Sequence, residues 1–218
     1  VIALSGSIHW LQAEYPTELR AFFFGLVLAS APLLSREVKH KTVRKYSMIL
    51  LGVLIAVTIT SLPPAVQSDS PLFLTISGAI AICAMLLPGI SGSFILLILG
   101  AYTPVITALS NFDILRIGAF AVGALIGLLT FSRVLSRILK NHHSTAIALL
   151  TGFLLGSLHV LWPWKKQIEM LYTHSDGREE WLLGNVLPNS TPNEFILIIA
   201  SVVIGVILVT ALDRFSRI

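Results

Sequence analysis

Long apolar segments recur along the whole chain and limit its fold more strongly than any other feature of the sequence. Such segments cover residues 1–11, 18–34, 46–62, 113–139, 144–162 and 194–212. A run of about 17 to 25 apolar residues can cross a ~30 Å hydrocarbon core as a helix, because a helix satisfies its own backbone hydrogen bonds. The sequence therefore predicts an all-α fold, a polytopic transmembrane helical bundle.

The composition excludes a soluble domain and a nucleic-acid-binding protein. Of the 218 residues, 55% are hydrophobic and 12% are charged, whereas a soluble domain carries about 25% charged residues. The net charge of +4 comes from short basic clusters between the apolar segments, where the positive-inside rule places them. The one cysteine, Cys83, lies within an apolar segment, so it offers no disulfide framework. We expect no cofactor and no bound metal.

The Lys and Arg residues of the short loops predict the orientation of the chain. If the segment between the third and fourth apolar segments adds no net crossing, ten of the fifteen basic residues fall on one side, which is then the cytoplasm. The C-terminus is thus predicted to be cytoplasmic. The ten residues are Arg36, Lys39, Lys41, Arg44, Lys45, Arg133, Arg137, Lys140, Arg214 and Arg217.

The segment at residues 70–112 is unusual because its 43 residues include no charged side chain. As one helix it would measure about 64 Å, twice the thickness of the bilayer core. Pro88, Gly89 and Gly92 break the helix in the middle, where no charged group would hold a loop in water. We expect a re-entrant helical hairpin with both ends on the outer face. Two short full spans joined by a tight turn are the alternative.

The break itself, residues 88–93 with the sequence PGISGS, is the main candidate for a binding site. Glycine lets the backbone approach a ligand, and a serine can cap the helix that follows. The free N–H groups of a first helical turn carry partial positive charge and suit a phosphate. The candidate substrate-binding residues of this segment are Pro88, Gly89, Ser91, Gly92 and Ser93. A purely structural helix break is the alternative interpretation.

Arg133 is the candidate cation for a phosphate. It lies one helical turn before Arg137, at a helix end where such side chains usually extend to lipid headgroups. Arg116 follows Asp113 by three residues, and this spacing predicts a local ion pair at a helix start. His159 falls near membrane depth, where it suits either a proton relay or an interfacial role.

An offset of 127 residues indicates an internal repeat. It aligns Gly25 with Gly152 and Ser30 with Ser157, so a helix containing Gly-x-x-x-x-Ser occurs twice. An odd number of predicted crossings separates the copies, which makes the repeat inverted, the recurrent plan of secondary transporters. The partner of the hairpin would precede Val1, and we therefore expect an N-terminally truncated chain.

The repeat also predicts the organisation of a single transmembrane domain that comprises residues 1–218. Its parts are the end of repeat 1 (1–34), repeat 2 (46–162) with its re-entrant hairpin (70–112), an outer loop (163–193), and the last helix with a cytoplasmic tail (194–218).

Residues 87–102, LPGISGSFILLILGAY, resemble the second signature of the polyprenyl-phosphate transporter family, long known only as a membrane domain of unknown function. Residues 22–26 (FFFGL) and 131–136 (FSRVLS) support the resemblance. Members also carry an earlier Pro-Gly-x-Ser-Gly-Gly signature, which this chain lacks. Many members have an acidic residue after the Gly-x-Tyr, where Thr103 stands here, and this departure weakens any ion-coupling role for that position.

The resemblance implies a function as a flippase. Family members are implied to return undecaprenyl phosphate, the carrier lipid of cell-wall and surface polysaccharide synthesis, from the outer to the inner leaflet of the bacterial cytoplasmic membrane. The expected partners are this lipid and the membrane. Proton or sodium coupling and a homo-oligomeric state are left open by the sequence.

Two other functions compete with transport. An undecaprenyl-diphosphate phosphatase has similar re-entrant tips, but Gly92 stands where its motif has arginine, and no glutamate is near. A small-ion channel would need a polar or charged pore lining, which the apolar hairpin does not supply. Because no nucleophile with an adjacent base is visible, the chain is not expected to be an enzyme.

Overall fold

The computed structural model describes residues 11, 14–36, 43–63, 65, 67–173 and 179–215. Within them, the chain forms eight α-helices and one two-stranded sheet. The helices are α1 (Pro16–Arg36), α2 (Val43–Thr60), α3 (Pro71–Met85), α4 (Gly92–Ile98), α5 (Tyr102–Ser110), α6 (Ile114–Asn141), α7 (His143–Gly156) and α8 (Pro192–Phe215). The strands are β1 (Lys165–Thr173) and β2 (Glu179–Asn185). Apart from Leu11, the predicted segment at residues 1–11 lies outside the described residues.

Three of these described helices, α1, α6 and α8, are long and apolar enough to cross a membrane. The pair α4 and α5 passes the same test together, but it is bent by 108°. Lys45–Thr60, which is α2 without its first two residues, and the whole of α3 are shorter apolar helices. The prediction of an all-α transmembrane bundle is confirmed.

The fifth predicted segment, residues 144–162, is helical over a shorter length than expected. α7 ends at Gly156, and a 3₁₀ turn, Ser157–His159, follows it. The hydroxyl of Ser157 donates to the carbonyl of Leu154 at 2.7 Å and so satisfies one of the free carbonyls at the helix end. Pro163 then disfavours helical backbone in the residue before it, and the chain continues into β1.

The chain divides into two compact units, which we call the central unit (residues 34–157) and the terminal unit (residues 1–33 and 158–218). In the central unit, α3 and α6 run in the same direction and pack closely. A Cβ added at Gly123 would overlap the carbonyl of Thr75, and one at Gly127 would lie 2.5 Å from the carbonyl oxygen of Ala79. The hydroxyl of Thr75 donates to the carbonyl oxygen of Ala119 at 3.0 Å. Small residues at an interface allow this approach of two backbones.

A second parallel pair, α2 and α7, completes the central unit. A Cβ at Gly52 would overlap the carbonyl of Leu149, and one at Gly156 would lie 3.1 Å from the carbonyl oxygen of Val53. The hydrophobic core of the central unit brings together side chains of α2, α3 and α7 and of the residues that follow α3. Its buried members are Ala56, Ala81, Ala84, Ile90, Ile95, Leu96, Ala101 and Phe153.

In the terminal unit, α1 and α8 pack against each other in opposite directions. A Cβ at Gly25 would overlap the carbonyl of Val202, and one at Gly205 would overlap the carbonyl of Phe22. Ile198 of α8 is 1% exposed and lies in the core of this unit. The glycines of both helices therefore serve close helix packing.

The predicted outer loop contains a β-hairpin that the sequence analysis did not anticipate. β1 and β2 pair antiparallel, with Lys165 opposite Asn185. A row of aromatic rings connects the hairpin to α1 and α8, because Trp162 contacts Phe24 and Trp164 contacts Phe195 at centroid distances of 6.0 and 5.9 Å. The two tryptophan rings are 5.3 Å apart.

Candidate functional site

The predicted helix break at residues 88–93 is a tight turn between α3 and α4. α3 ends at Met85, and the N–H of Leu87 bonds the carbonyl of Ala84 at 2.9 Å in its last turn. Gly89 then adopts a φ of +88°, a backbone conformation that residues with a Cβ rarely adopt. The chain reverses here because proline stops the helix and glycine permits this conformation.

Both glycines of the turn lie close to neighbouring backbone or side chains. A Cβ at Gly89 would lie 2.7 Å from Oγ of Ser157, and one at Gly92 would lie 3.1 Å from the carbonyl oxygen of Ala81. Ile90, between them, is 8% exposed and packs in the core of the central unit. The turn is therefore anchored through Ile90; a side chain at Gly89 would clash with Ser157, and one at Gly92 would crowd the backbone of Ala81.

The two serines of the turn face outward as a pair. Oγ of Ser91 and Oγ of Ser93 are 2.9 Å apart, and both residues are exposed in the described structure. Ser91 occupies the N-cap position of α4, but its hydroxyl makes no capping bond. The expected side-chain cap is thus absent, since the two hydroxyls bond each other. In the first turn of α4, the N–H of Ile95 donates a hydrogen bond to the carbonyl oxygen of Ser91 at 3.1 Å.

Glycine also ends α4 and creates the bend into α5. Gly100 has a φ of +70°, and the N–H of Ala101 bonds the carbonyl of Leu96 at 2.8 Å. The N–H of Gly100 bonds the carbonyl of Leu97 at 3.0 Å. These two bonds form a Schellman motif, the usual way in which a glycine terminates a helix. α4 is therefore only seven residues long.

The two ends of the segment at residues 70–112 lie at the same level of the central unit. Arg116, in the first turn of α6, forms ion pairs with Asp69 at 3.1 Å and with Asp113 at 3.3 Å. The local pair with Asp113 was predicted and is confirmed. Because Asp69 directly precedes the start of α3, its pair with Arg116 sets the beginnings of the parallel helices α3 and α6 side by side.

Arg133 shares a level with the turn but makes no described contact with it. Thr75 lies beside Gly123 and Ala79 beside Gly127, a constant offset of 48 residues. The same offset sets Met85, where α3 ends, opposite Arg133. The side chain of Arg133 is exposed, and no hydrogen bond or ion pair within the described part of the chain joins it to the serines.

The chemistry available at the turn suits binding better than catalysis. It presents two hydroxyls and a glycine-rich backbone, and neither a carboxylate nor a histidine lies in residues 86–94. Among the described residues, no group of three His, Cys, Asp or Glu side chains could hold a metal ion. Hydroxyls and exposed backbone can bind an anion by hydrogen bonding, without a nucleophile and base for covalent chemistry.

Comparison with known families identifies the family to which the chain belongs. The sequence model of the undecaprenyl phosphate translocase-like family matches residues 1–179. The chain belongs to this family. The resemblance of residues 87–102 to a polyprenyl-phosphate transporter signature is thereby confirmed, and membership in a translocase-like family agrees with the expectation of a transporter.

Two relatives that the chain resembles are named polyprenyl-phosphate transporters. The protein of Vibrio cholerae is 36% identical over 223 residues, an alignment that covers 100% of this chain and 72% of that protein. The protein of Staphylococcus aureus is 30% identical over 179 residues, which cover 74% of this chain and 63% of that protein. No solved structure matches the chain.

Proposed function

We propose that the protein is a flippase for undecaprenyl phosphate. It moves this lipid from the outer to the inner leaflet of the bacterial cytoplasmic membrane, where the carrier is used again. The observation that carries the proposal is family membership, supported by two relatives named polyprenyl-phosphate transporters. Apolar helices long enough to span a bilayer support a multi-pass membrane location, and the basic loops favour a cytoplasmic C-terminus.

We place the phosphate headgroup at the turn formed by residues 88–93. The paired hydroxyls of Ser91 and Ser93 donate to phosphate oxygens, and the close packing of Gly89 and Gly92 against Ser157 and Ala81 holds the backbone that presents them. The macrodipole of α4 adds little, because a helix of seven residues comprises only two turns. Pro88 sets the turn that presents these groups.

A phosphate cannot cross hydrocarbon without replacing its water. Transfer of an unpaired ion from water into a medium of low dielectric costs far more free energy than binding of the lipid tail releases. Fixed hydroxyls and N–H groups at the turn replace part of the hydration shell, while the isoprenoid tail stays in lipid. Arg133, opposite the end of α3, is the cation that we assign to the headgroup. Its long side chain is flexible and can extend toward residues 88–93.

The inverted repeat supplies a route for alternating access. In this scheme, a second helix-breaking segment pairs with the hairpin around a pseudo-two-fold axis. Rocking of one repeat against the other then exposes the headgroup to each side in turn. A full-length sequence without an upstream Pro/Gly-broken apolar segment would remove this route.

The direct test is leaflet exchange of polyprenyl phosphate by the full-length protein in liposomes. Substitution Gly92→Val adds a branched side chain where even a Cβ lies 3.1 Å from the carbonyl of Ala81. We expect exchange to slow by about tenfold or more, the effect of ~1.4 kcal/mol of lost headgroup stabilisation. Gly118→Ala is the control, because no atom lies within 4 Å of a Cβ at Gly118.

Two outcomes would oppose the proposal. Normal exchange by the Gly92→Val protein would remove the headgroup from this turn. Release of inorganic phosphate from polyprenyl diphosphate by the wild-type protein would favour the phosphatase instead.

A further inference from the structure

The terminal unit contains a groove beside the β-hairpin that the turn at residues 88–93 does not involve. Its volume is about 550 Å³. Phe24, Trp162 and Val186 give it an apolar wall, and His159 and Asn185 line its polar end. Nδ2 of Asn185 donates to the backbone carbonyl of His159 at 2.8 Å. The groove thus has an apolar length and a polar end.

Lys165 lies next to this polar end, and Arg20 lies near enough to Lys165 to act on its charge. Arg20 precedes Phe24 by one helical turn, so both side chains lie on the same face of α1. Lys165 opens β1 opposite Asn185, and its Nζ lies 3.5 Å from the carbonyl oxygen of His159 that Asn185 also bonds. The polar end is therefore flanked by one guanidinium and one ammonium group.

Glu18, two residues before Arg20 on α1, offsets part of the positive charge of this pair, but the described ion pairs do not join it to Arg20. Nε of Arg20 is buried and has no hydrogen-bond partner, while Nη2 contacts only the hydroxyl of Thr17, at 3.3 Å. The described ion pairs of the chain involve neither Arg20 nor Lys165. Burial, together with the charge of Arg20, lowers the pKa of Lys165 to about 8. Partly buried like charges that no ion pair neutralises are unfavourable, and an anion between them would stabilise both charged forms.

We propose that this groove binds the phosphate monoester of a polyprenyl phosphate, with Arg20 and Lys165 as its counter-ions and the first isoprene units along Phe24, Trp162 and Val186. The inference rests on the proposed transport function and adds a second headgroup site to it. A phosphate monoester carries close to two negative charges at neutral pH, which matches two cations, whereas the diester of a phospholipid carries one. Trp162 and Trp164 also suit the headgroup level of a bilayer.

The test measures binding of a polyprenyl phosphate to the full-length protein in lipid nanodiscs. Removing one charge, as in Arg20→Gln or Lys165→Gln, should raise the dissociation constant about tenfold, the effect expected for one charge-assisted hydrogen bond. Lys166→Gln is the matched control, because this exposed neighbour points to the opposite face of β1. Its dissociation constant should equal that of the wild type.

Photo-crosslinking of the wild-type protein tests the site without any substitution. A polyprenyl phosphate with a photoreactive group near the phosphate should label residues 158–165 or 185–187. An excess of uncharged polyprenol or of phosphatidylglycerol should not displace it. Labelling confined to other parts of the chain, or equal competition by phosphatidylglycerol, would overturn the site.

Failure of this site and failure of the transport function give different results. If Arg20→Gln, Lys165→Gln and Lys166→Gln all bind like the wild type, or all lose affinity equally, the groove site is wrong. Leaflet exchange by the wild-type protein in liposomes would still support transport. If the wild-type protein neither binds nor exchanges polyprenyl phosphate, both proposals are wrong.

Discussion

Lys165 has an altered acidity because of where the fold places it. Its pKa falls from 10.5 to about 8, first because of burial and then because of the positive charge of Arg20. A bound phosphate would raise this pKa again, since an opposite charge favours the ammonium form. Lys165 would therefore be charged in the complex at pH values where it is neutral in the free protein.

This shift predicts a pH dependence of lipid binding. Affinity for polyprenyl phosphate should be full between about pH 6 and pH 8 and should fall as the pH rises further, because binding then requires uptake of a proton by Lys165. The phosphate itself does not cause the fall, since its second pKa is about 6. Equilibrium binding measured over a pH series checks this expectation.

The control for the pH series is Lys165→Arg, which stays charged throughout and should bind without the decline. The other ionisable groups near Lys165 are Arg20 and Glu18 on α1, together with His159. The same decline in the arginine variant would assign the pH dependence to one of them.

At the scale of elements, glycines decide which helices pair. Gly123 and Gly127 face α3, and their missing side chains let the backbones of α3 and α6 touch. Gly118, on the same helix, has open space around it. The same residue type therefore has a packing role at two positions of α6 and none at the third.

Substitution Gly123→Ala should destabilise the protein, because its Cβ would overlap the carbonyl of Thr75. We expect a loss of about 1 to 3 kcal/mol, the usual cost of overpacking. Gly118→Ala should leave stability unchanged or raise it slightly, since alanine is the better helix former. Thermal unfolding in detergent compares the two variants. Equal stability of both would mean that α3 and α6 do not pack as described.

At the scale of the whole molecule, the course of residues 70–112 determines how the headgroup site meets the membrane. The ion pair between Asp69 and Arg116 sets the beginnings of α3 and α6 at one level. α3 rises about 22 Å over its fifteen residues, less than the ~30 Å hydrocarbon core. These observations favour a turn that stays within the membrane.

Cysteine labelling tests this course in a Cys83→Ser background. Ser91→Cys should react with a membrane-permeant maleimide but poorly with an impermeant one from either side of the membrane. Gln67→Cys, before α3, should react with the impermeant reagent from the outer side. Ready modification of Ser91→Cys by the impermeant reagent from the cytoplasmic side would indicate two full spans instead of a hairpin.

Much of the helical architecture follows from the sequence alone. Apolar length predicts α1, α6 and α8, because a buried backbone in lipid must form a helix. Proline with glycine predicts the break at residues 88–93, and the spacing of Arg116 and Asp113 predicts their ion pair. These are local properties, so a short stretch of sequence contains the information. The inverted repeat stays a prediction.

Contacts between distant residues depend on the tertiary structure. The β-hairpin was missed because polar and apolar residues alternate in β1 only over residues 167–170, after two adjacent lysines, and so short a pattern is a weak signal for a strand. Its pairing with β2 and its aromatic contacts to α1 and α8 stabilise it instead.

The two candidate sites differ in the same way: one depends on local sequence and the other on contacts between distant residues. Sequence alone determined the turn at residues 88–93, since proline, glycine and serine act on their own backbone. It did not reveal the groove, because Arg20 and Lys165 are separated by well over a hundred residues and each looks like an ordinary interfacial cation. Only the folded terminal unit brings the two charges together, and their mutual repulsion and shared burial arise only there.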